Sequence, residues 1–282
     1  MKPTVTFTRS DGLVFTMDDK MLGITELDGL GRPTIEIFTE KRAVGSGDLV
    51  TSKRIAGRAI TVKTTSRVHG INAQLRSIAS SFFSHAYTYD VEFQYDGVVR
   101  TATECELKAI DIPTENIHKP FRMVVTVLAP AGYLQGGGMN GQNLNEARGG
   151  FGFPYVSLVN RGFHYGVFLF SQRAAVINDG AGPTYVRAVM TCRGEVINPK
   201  LTHGDSFVRV VTTLNKGDTL VIDTEKRIVT LNGSNAITYV DKASNFQGMT
   251  LEVGASEIGF EADSGDNLLD VSVYWAKRYE TM

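Results

Sequence analysis

The run Leu214-Asn-Lys-Gly-Asp-Thr-Leu-Val-Ile-Asp-Thr-Glu-Lys-Arg-Ile-Val-Thr-Leu-Asn-Gly233 decides the fold. It opens on a Gly-Asp pair and continues with an apolar, β-branched segment. Asp223-Thr-Glu-Lys226 turns the chain, a second apolar segment pairs back, and Asn232-Gly233 ends it. Asn-Gly at a strand end is the strongest short-range hairpin signal, because both turn residues must take positive φ. Working outward, the same two-residue alternation recurs. Val91, Phe93 and Tyr95 alternate with Glu92, Gln94 and Asp96, and Asp96-Gly97 turns the chain into residues 98–103. Phe121, Met123, Val125 and Val127 share one parity, with Arg122 and Thr126 on the other. Shorter runs fall at 35–38, 59–63, 167–170, 185–192, 207–212 and 271–275. Many short strands separated by turn residues predict sandwiches or barrels.

One segment has a different period. Val68, Ile71, Leu75, Ile78, Ala79 and Phe82 are spaced by threes and fours, which makes one helical stripe, with Asn72, Arg76 and Ser80 on the other face. The spacing predicts a helix over about 68–83, with Ser66 as its N-cap. Gly70 weakens its first turn by up to ~1 kcal/mol relative to alanine, which moves the expected start toward the residues after it. This is the one substantial helix expected.

At 282 residues the chain suits two domains. The clearest boundary is Gln135-Gly-Gly-Gly-Met-Asn-Gly-Gln-Asn-Leu-Asn-Glu-Ala-Arg-Gly-Gly150, which has little to bury against the entropy of ordering it. It reads as a linker or exposed loop at 135–150, between domains at 1–134 and 151–282. Asn178-Asp-Gly-Ala-Gly-Pro183 reads as a loop inside the second half. No internal repeat relates the halves.

The formal net charge of −1 gives no reason for attraction to nucleic acid or an acidic membrane. No apolar run approaches 18 residues, so no membrane span is expected. Met1-Lys2-Pro3-Thr4 begins no signal peptide. Cys105 and Cys192 each share parity with apolar neighbours, which favours buried free thiols over a disulfide and a reducing compartment.

Catalytic chemistry has one candidate. Glu252, Glu257, Glu261 and Asp263 lie close together, and the last three share strand parity. Sandwich glycosidases use paired carboxylates, but Gly259 stands between Glu257 and Glu261, and a solvated strand face is the plainer reading. His69, His85, His118, His164 and His203 are scattered without metal-ligand spacing. No Gly-x-Ser-x-Gly elbow and no phosphate loop is present. Catalytic, cofactor and metal residues are therefore all expected to be absent. Trp275 shares parity with Val271 and Val273, which favours a core role over stacking on a sugar. Tyr155, Phe163, Tyr165, Phe168 and Phe170 serve equally well as core or as partner surface. Lys53, Arg54, Arg58 and Lys63 read as a solvated strand face, or as a contact to Asp18, Asp19 and Glu26 of a neighbouring copy.

Several of these pieces, in this order, resemble the distal tail protein family of long-tailed (siphovirus-type) phages. The C-terminal half carries the more specific part: Gly194-Glu-Val-Ile-Asn-Pro199, then Gly217-Asp218, Asp223-Thr224 and Asn232-Gly233. Ser244-Asn-Phe246, Ile258-Gly-Phe260 and the closing Val273-Tyr-Trp-Ala-Lys-Arg-Tyr279 follow. The N-terminal half is less similar. It has the glycine-aspartate loop of Gly45 to Asp48, the helix, and strand pairs ending near Ala129-Pro130, but Ala43-Val44 stand where the family more often has proline.

The resemblance implies a mainly β protein: an N-terminal β-sandwich-like domain with one α-helix, which forms the ring, and a C-terminal galectin-like β-sandwich. It implies a structural, non-enzymatic virion protein, made in the host bacterial cytoplasm and located at the tail tip. There a homo-oligomer, a hexameric ring, joins the tail tube to the tail tip or baseplate. The implied partners are the tail tube protein, a tail-tip or tail-associated lysin-type protein and receptor-binding or baseplate proteins. The alternative is a carbohydrate-binding, lectin-like module for host recognition.

Overall fold

The computed structural model describes residues 2–42, 44–68, 70–114, 119–149, 166–169 and 172–282. It is mainly β, with one α-helix among the described residues. The chain divides into two compact units, 1–138 with 278–282, and 139–277.

In the first unit, β1 (Thr4–Arg9) pairs with β2 (Val14–Met17), and β3 (Leu22–Asp28) leads to β4 (Ile35–Lys41). Then come β5 (Asp48–Ile55), β6 (Arg58–Ser66), α1 (Asn72–Phe82), β7 (Thr88–Tyr95), β8 (Val98–Asp111) and β9 (Arg122–Ala129). β8 is long enough to serve two layers. Its first part continues the order β2-β1-β7-β8 and its last part the order β8-β9-β6-β3. The change of layer follows register shifts and a positive φ at Glu104, a bulge that bends the strand. Between the layers lie Val5, Phe7, Ile60, Val62, Val91, Phe93, Met123, Val125 and Val127.

The helix adds Leu75, Ala79 and Phe82 to this core, and Phe7, Phe15, Phe82, Phe83 and Tyr89 form a ring cluster with centroids 4.9–5.9 Å apart. The stripe expected from sequence is therefore real, but the helix is shorter than 68–83. Gly70 takes φ +85°, which no helix allows. Ser66 is the last residue of β6 and bonds Val68, so it caps nothing; the helix starts without a side-chain cap.

The glycine-rich stretch expected as a linker or loop is instead a strand over most of its length: β10 (Leu134–Asn143), followed by β11 (Glu146–Gly149). The glycines make room for neighbours. A Cβ at Gly137 would lie 3.1 Å from Val99, and one at Gly141 only 2.8 Å from the Tyr274 ring. Backbone pairing, Gln135 with Thr101 and Gly136 with Arg100, supplies the order that side-chain burial does not.

In the second unit, β12 (Gly166–Leu169) pairs with β11. β13 (Arg173–Asn178), β14 (Arg187–Cys192), β15 (Val196–Ile197), β16 (Lys200–His203) and β17 (Ser206–Arg209) follow. The remaining strands are β18 (Thr213–Leu214), β19 (Thr219–Asp223), β20 (Ile228–Leu231), β21 (Ser234–Asn235), β22 (Gly254–Glu261) and β23 (Leu269–Tyr279). One layer runs β23-β14-β19-β20-β21, the other β13-β22-β16-β17. They enclose Met190, Leu201, Val208, Leu220, Ile222, Ile258, Phe260, Val271, Val273 and Trp275, a β-sandwich.

The Leu214–Gly233 run folds as its sequence dictates. β19 and β20 pair as Leu220 with Leu231 through Asp223 with Ile228, and Asp223 accepts a bond from the Lys226 amide in the turn. Asn232 and Gly233 take φ +51° and +80° and turn the chain into β21. The two end signals also bind one another. Asn232 donates to Asp218 at 2.9 Å, and its carbonyl accepts from the Thr219 amide at 2.9 Å. Cys105 and Cys192 are buried free thiols, pushed up by burial to about 12 and about 11.

Candidate interaction surfaces

Among the described residues, β4 and β5 pair only with each other. Alternating sequence makes them strands, and Gly45 and Gly47 at φ +98° and +85° turn the tip. Yet no residue of either strand is buried. Ile35, Ile37, Phe38, Leu49 and Val50 all stand in solvent, Ile37 at 55% and Leu49 at 52% exposure, and Val44 at the tip reaches 90%. An isolated two-stranded hairpin is marginal in water, and its open edges and apolar faces invite pairing. This arm is built to be covered.

Its root is firm. Arg58, at the start of β6, is buried. It donates to the carbonyl of Gly132 at 2.7 Å, of Gly31 at 3.0 Å and of Glu280 at 2.7 Å. Those carbonyls come from the loop before β4, the turn after β9 and the last residues of the chain. Burial holds the guanidinium below its usual range, against the Glu280 charge. At Gly29, φ is +87° and a Cβ would lie 2.1 Å from the Ala59 carbonyl oxygen, so only glycine passes there.

The basic stretch contains this residue and does not act as one surface. Arg54 pairs with Glu36 at 2.5 Å and Lys63 with Glu26 at 2.8 Å, both inside the chain. Asp19 is engaged by Lys2 and Arg67. The acids considered for a neighbouring copy thus largely serve their own.

The carboxylates on β22 do share an outward face, and each has a cation. Glu257 faces Arg173 at 3.4 Å and Glu261 faces Lys200 at 3.0 Å. Asp263 accepts from Asn198 at 2.7 Å and pairs with Arg209; the Asn198 bond first, then the Arg209 and Lys200 charges, hold its carboxyl below the usual range. Trp275 lies in the core, as its parity favours, with its indole nitrogen buried.

Among the described histidines, His203 bonds the Gly248 carbonyl at 3.0 Å. His69, His118 and His164, and the aromatics Tyr155, Phe163, Tyr165 and Phe170, lie outside the described residues. No group of His, Cys, Asp and Glu among the described residues is arranged to hold a metal. Among the described residues, no helix is long and apolar enough to cross a membrane. Sequence reasoning placed a strand at 35–38, within β4, but missed β5 as its partner and the arm they form, because nothing local says that a strand lacks a partner layer.

Residues 179–279 match the family model of the siphovirus-type tail component, C-terminal domain. This segment is similar to the siphovirus-type tail component, C-terminal domain. It contains the hairpin run that opened the sequence reading and the closing strand around Trp275. The likeness in fold extends beyond the tail-component domain to the full chain. The Dit protein (gp 19.1) of phage SPP1, a hub of the adsorption apparatus of phages infecting Gram-positive bacteria, superposes with a TM-score of 0.63 at 13% identity. The match covers 97% of this chain and 98% of that one. A chain of the phage P2 baseplate in its activated conformation with Ca superposes at 0.58 and 13% identity, with 100% of both chains covered. At such identity these two likenesses are statements about fold. No curated protein matches the chain in sequence.

Proposed function

We propose that the protein is the distal tail adaptor of a long-tailed phage or prophage. Its first unit closes a ring of six copies that joins the tail tube to the tail tip. Its second unit carries tail-tip, lysin-type or receptor-binding partners. The observation that carries this reading is the β4–β5 arm, an apolar two-stranded element with no cover of its own. A surface on one copy that fits a different surface on the next makes a heterologous contact, and such contacts close into rings when the rotation allows. The tail-component domain in the second unit and the hub fold of the whole chain support the same reading. Activity on this reading resides in surfaces and not in catalysis. The buried thiols suit synthesis in a host cytoplasm.

Light scattering across a concentration series tests the ring. A species near six times 30.8 kDa is expected. A strict monomer at every concentration, with or without tail tube protein, would exclude a ring.

A further inference from the structure

The β13-β22-β16-β17 layer turns alternate side chains away from the core. Leu201, Val208, Ile258 and Phe260 point inward. The register sets two polar rungs across the other face. In one, Lys200 stands opposite both Glu261 and Arg209. In the next, Gly259 stands opposite Arg173 and Thr202, and Thr202 opposite Phe207. The rungs are two residues apart along the strands, about 6–7 Å, close to the length of one pyranose ring.

Each rung opens into a recess of about 150 Å³. Asn198, Lys200, Phe207, Arg209, Glu261 and Asp263 line the first; Arg173, Thr202, Glu257 and Gly259 line the second. Gly259 makes the floor. A Cβ there would lie 2.8 Å from the Thr202 hydroxyl and 2.9 Å from the Arg173 side chain.

The chemistry of this face selects among ligands. Arg173, Lys200 and Arg209 stand among Asp241, Glu257, Glu261 and Asp263, so the charges nearly cancel and a polyanion gains little. The ion pairs hold planar donors and acceptors in place without exhausting them, since a carboxylate accepts at about four sites. Phe207, half-buried beneath the Lys200 ammonium at 4.9 Å, adds an apolar wall. Ordered donors and acceptors beside one aromatic surface match a ligand that carries many hydroxyls on an apolar ring.

We propose that this face binds a neutral saccharide, with one sugar ring in each recess. The proposal goes beyond the adaptor reading and is independent of it. Saturation-transfer NMR on the intact protein tests it, with methyl glycosides of glucose, galactose, N-acetylglucosamine and rhamnose and with neutral disaccharides. Polyglycerol phosphate serves as the anionic comparison. Transfer to at least one neutral sugar is expected, with disaccharides bound more tightly than their single rings. Phe207→Ala and Glu261→Gln should each weaken binding about tenfold, while Lys226→Ala, in the turn between β19 and β20, should leave it unchanged. Circular dichroism checks each fold, and if Phe207→Ala does not fold, the exposed Glu261→Gln decides alone. Absence of transfer from every neutral sugar, binding confined to polyglycerol phosphate, or binding undiminished in Glu261→Gln would overturn the proposal.

Discussion

Arg9 and Asp11 show how a short stretch of chain ties a strand to a helix. Arg9 is buried at the end of β1 and holds Asp11 through two bonds, at 2.9 and 2.6 Å. It also donates to the carbonyls of Ser81 and Phe82 at the C-terminal end of α1, where a cation is favoured. The Arg9 bond lowers the Asp11 carboxyl to about 2. The folded value lies below the ordinary one, so the stabilisation is present above pH ~4 and fades as pH falls through about 2. Asp11→Asn should therefore lower the melting temperature at pH 7, and its deficit against the native protein should shrink between pH 4 and pH 2. A deficit constant over that range would contradict the assignment. Arg58 is a second single-residue dependence. Arg58→Met keeps the stem but leaves the carbonyls of Gly29, Gly31, Gly132 and Glu280 without this donor, so a loss of about 2–3 kcal/mol is expected from the urea midpoint. Both arginines could be read from sequence only as basic residues on strands. That one clasps a helix end and the other an arm root depends on carbonyls 27 to 222 residues away in the chain.

At the scale of elements, the β4–β5 arm is where local sequence and tertiary context part. The run 35–38 of its first strand was legible from alternation, and the loop of Gly45 to Asp48 from the family resemblance; its second strand and its isolation were not. Replacing Ile35, Ile37 and Leu49 together by serine removes apolar surface that is exposed in the single chain. The expected outcome is an unchanged circular dichroism melt at low concentration and loss of the high-mass species in light scattering. An oligomer that survives the triple replacement would place the ring contact elsewhere. β10 teaches the converse. Residues 135–143 were expected as loop because composition counts side-chain burial, whereas this strand is ordered by its backbone and needs glycine where Val99 and Tyr274 lie close. Helix α1 falls between these cases: its apolar stripe was plain, while its start was decided by the backbone at Gly70 and not by a capping serine.

For the whole molecule, the two units pair an arm-bearing sandwich with a tail-component domain, a division that suits an adaptor. If that is its role, gold-labelled antibody against the protein should decorate virions at the tail end away from the capsid. Label along the tube or on the capsid would remove the adaptor reading. By itself the sequence determined the β class, the turns at Asp96-Gly97 and Asn232-Gly233, and the likeness of residues 179–279 to the siphovirus-type tail component. These follow from alternation and from residues that tolerate positive φ, both of which act over a few positions. Only the tertiary structure decided that a glycine-rich stretch becomes a strand, that β4 and β5 stand uncovered, and that Glu257 and Glu261 of β22 meet cations from β13 and β16. Each of those outcomes depends on which distant segment lies alongside, and no local pattern carries that information.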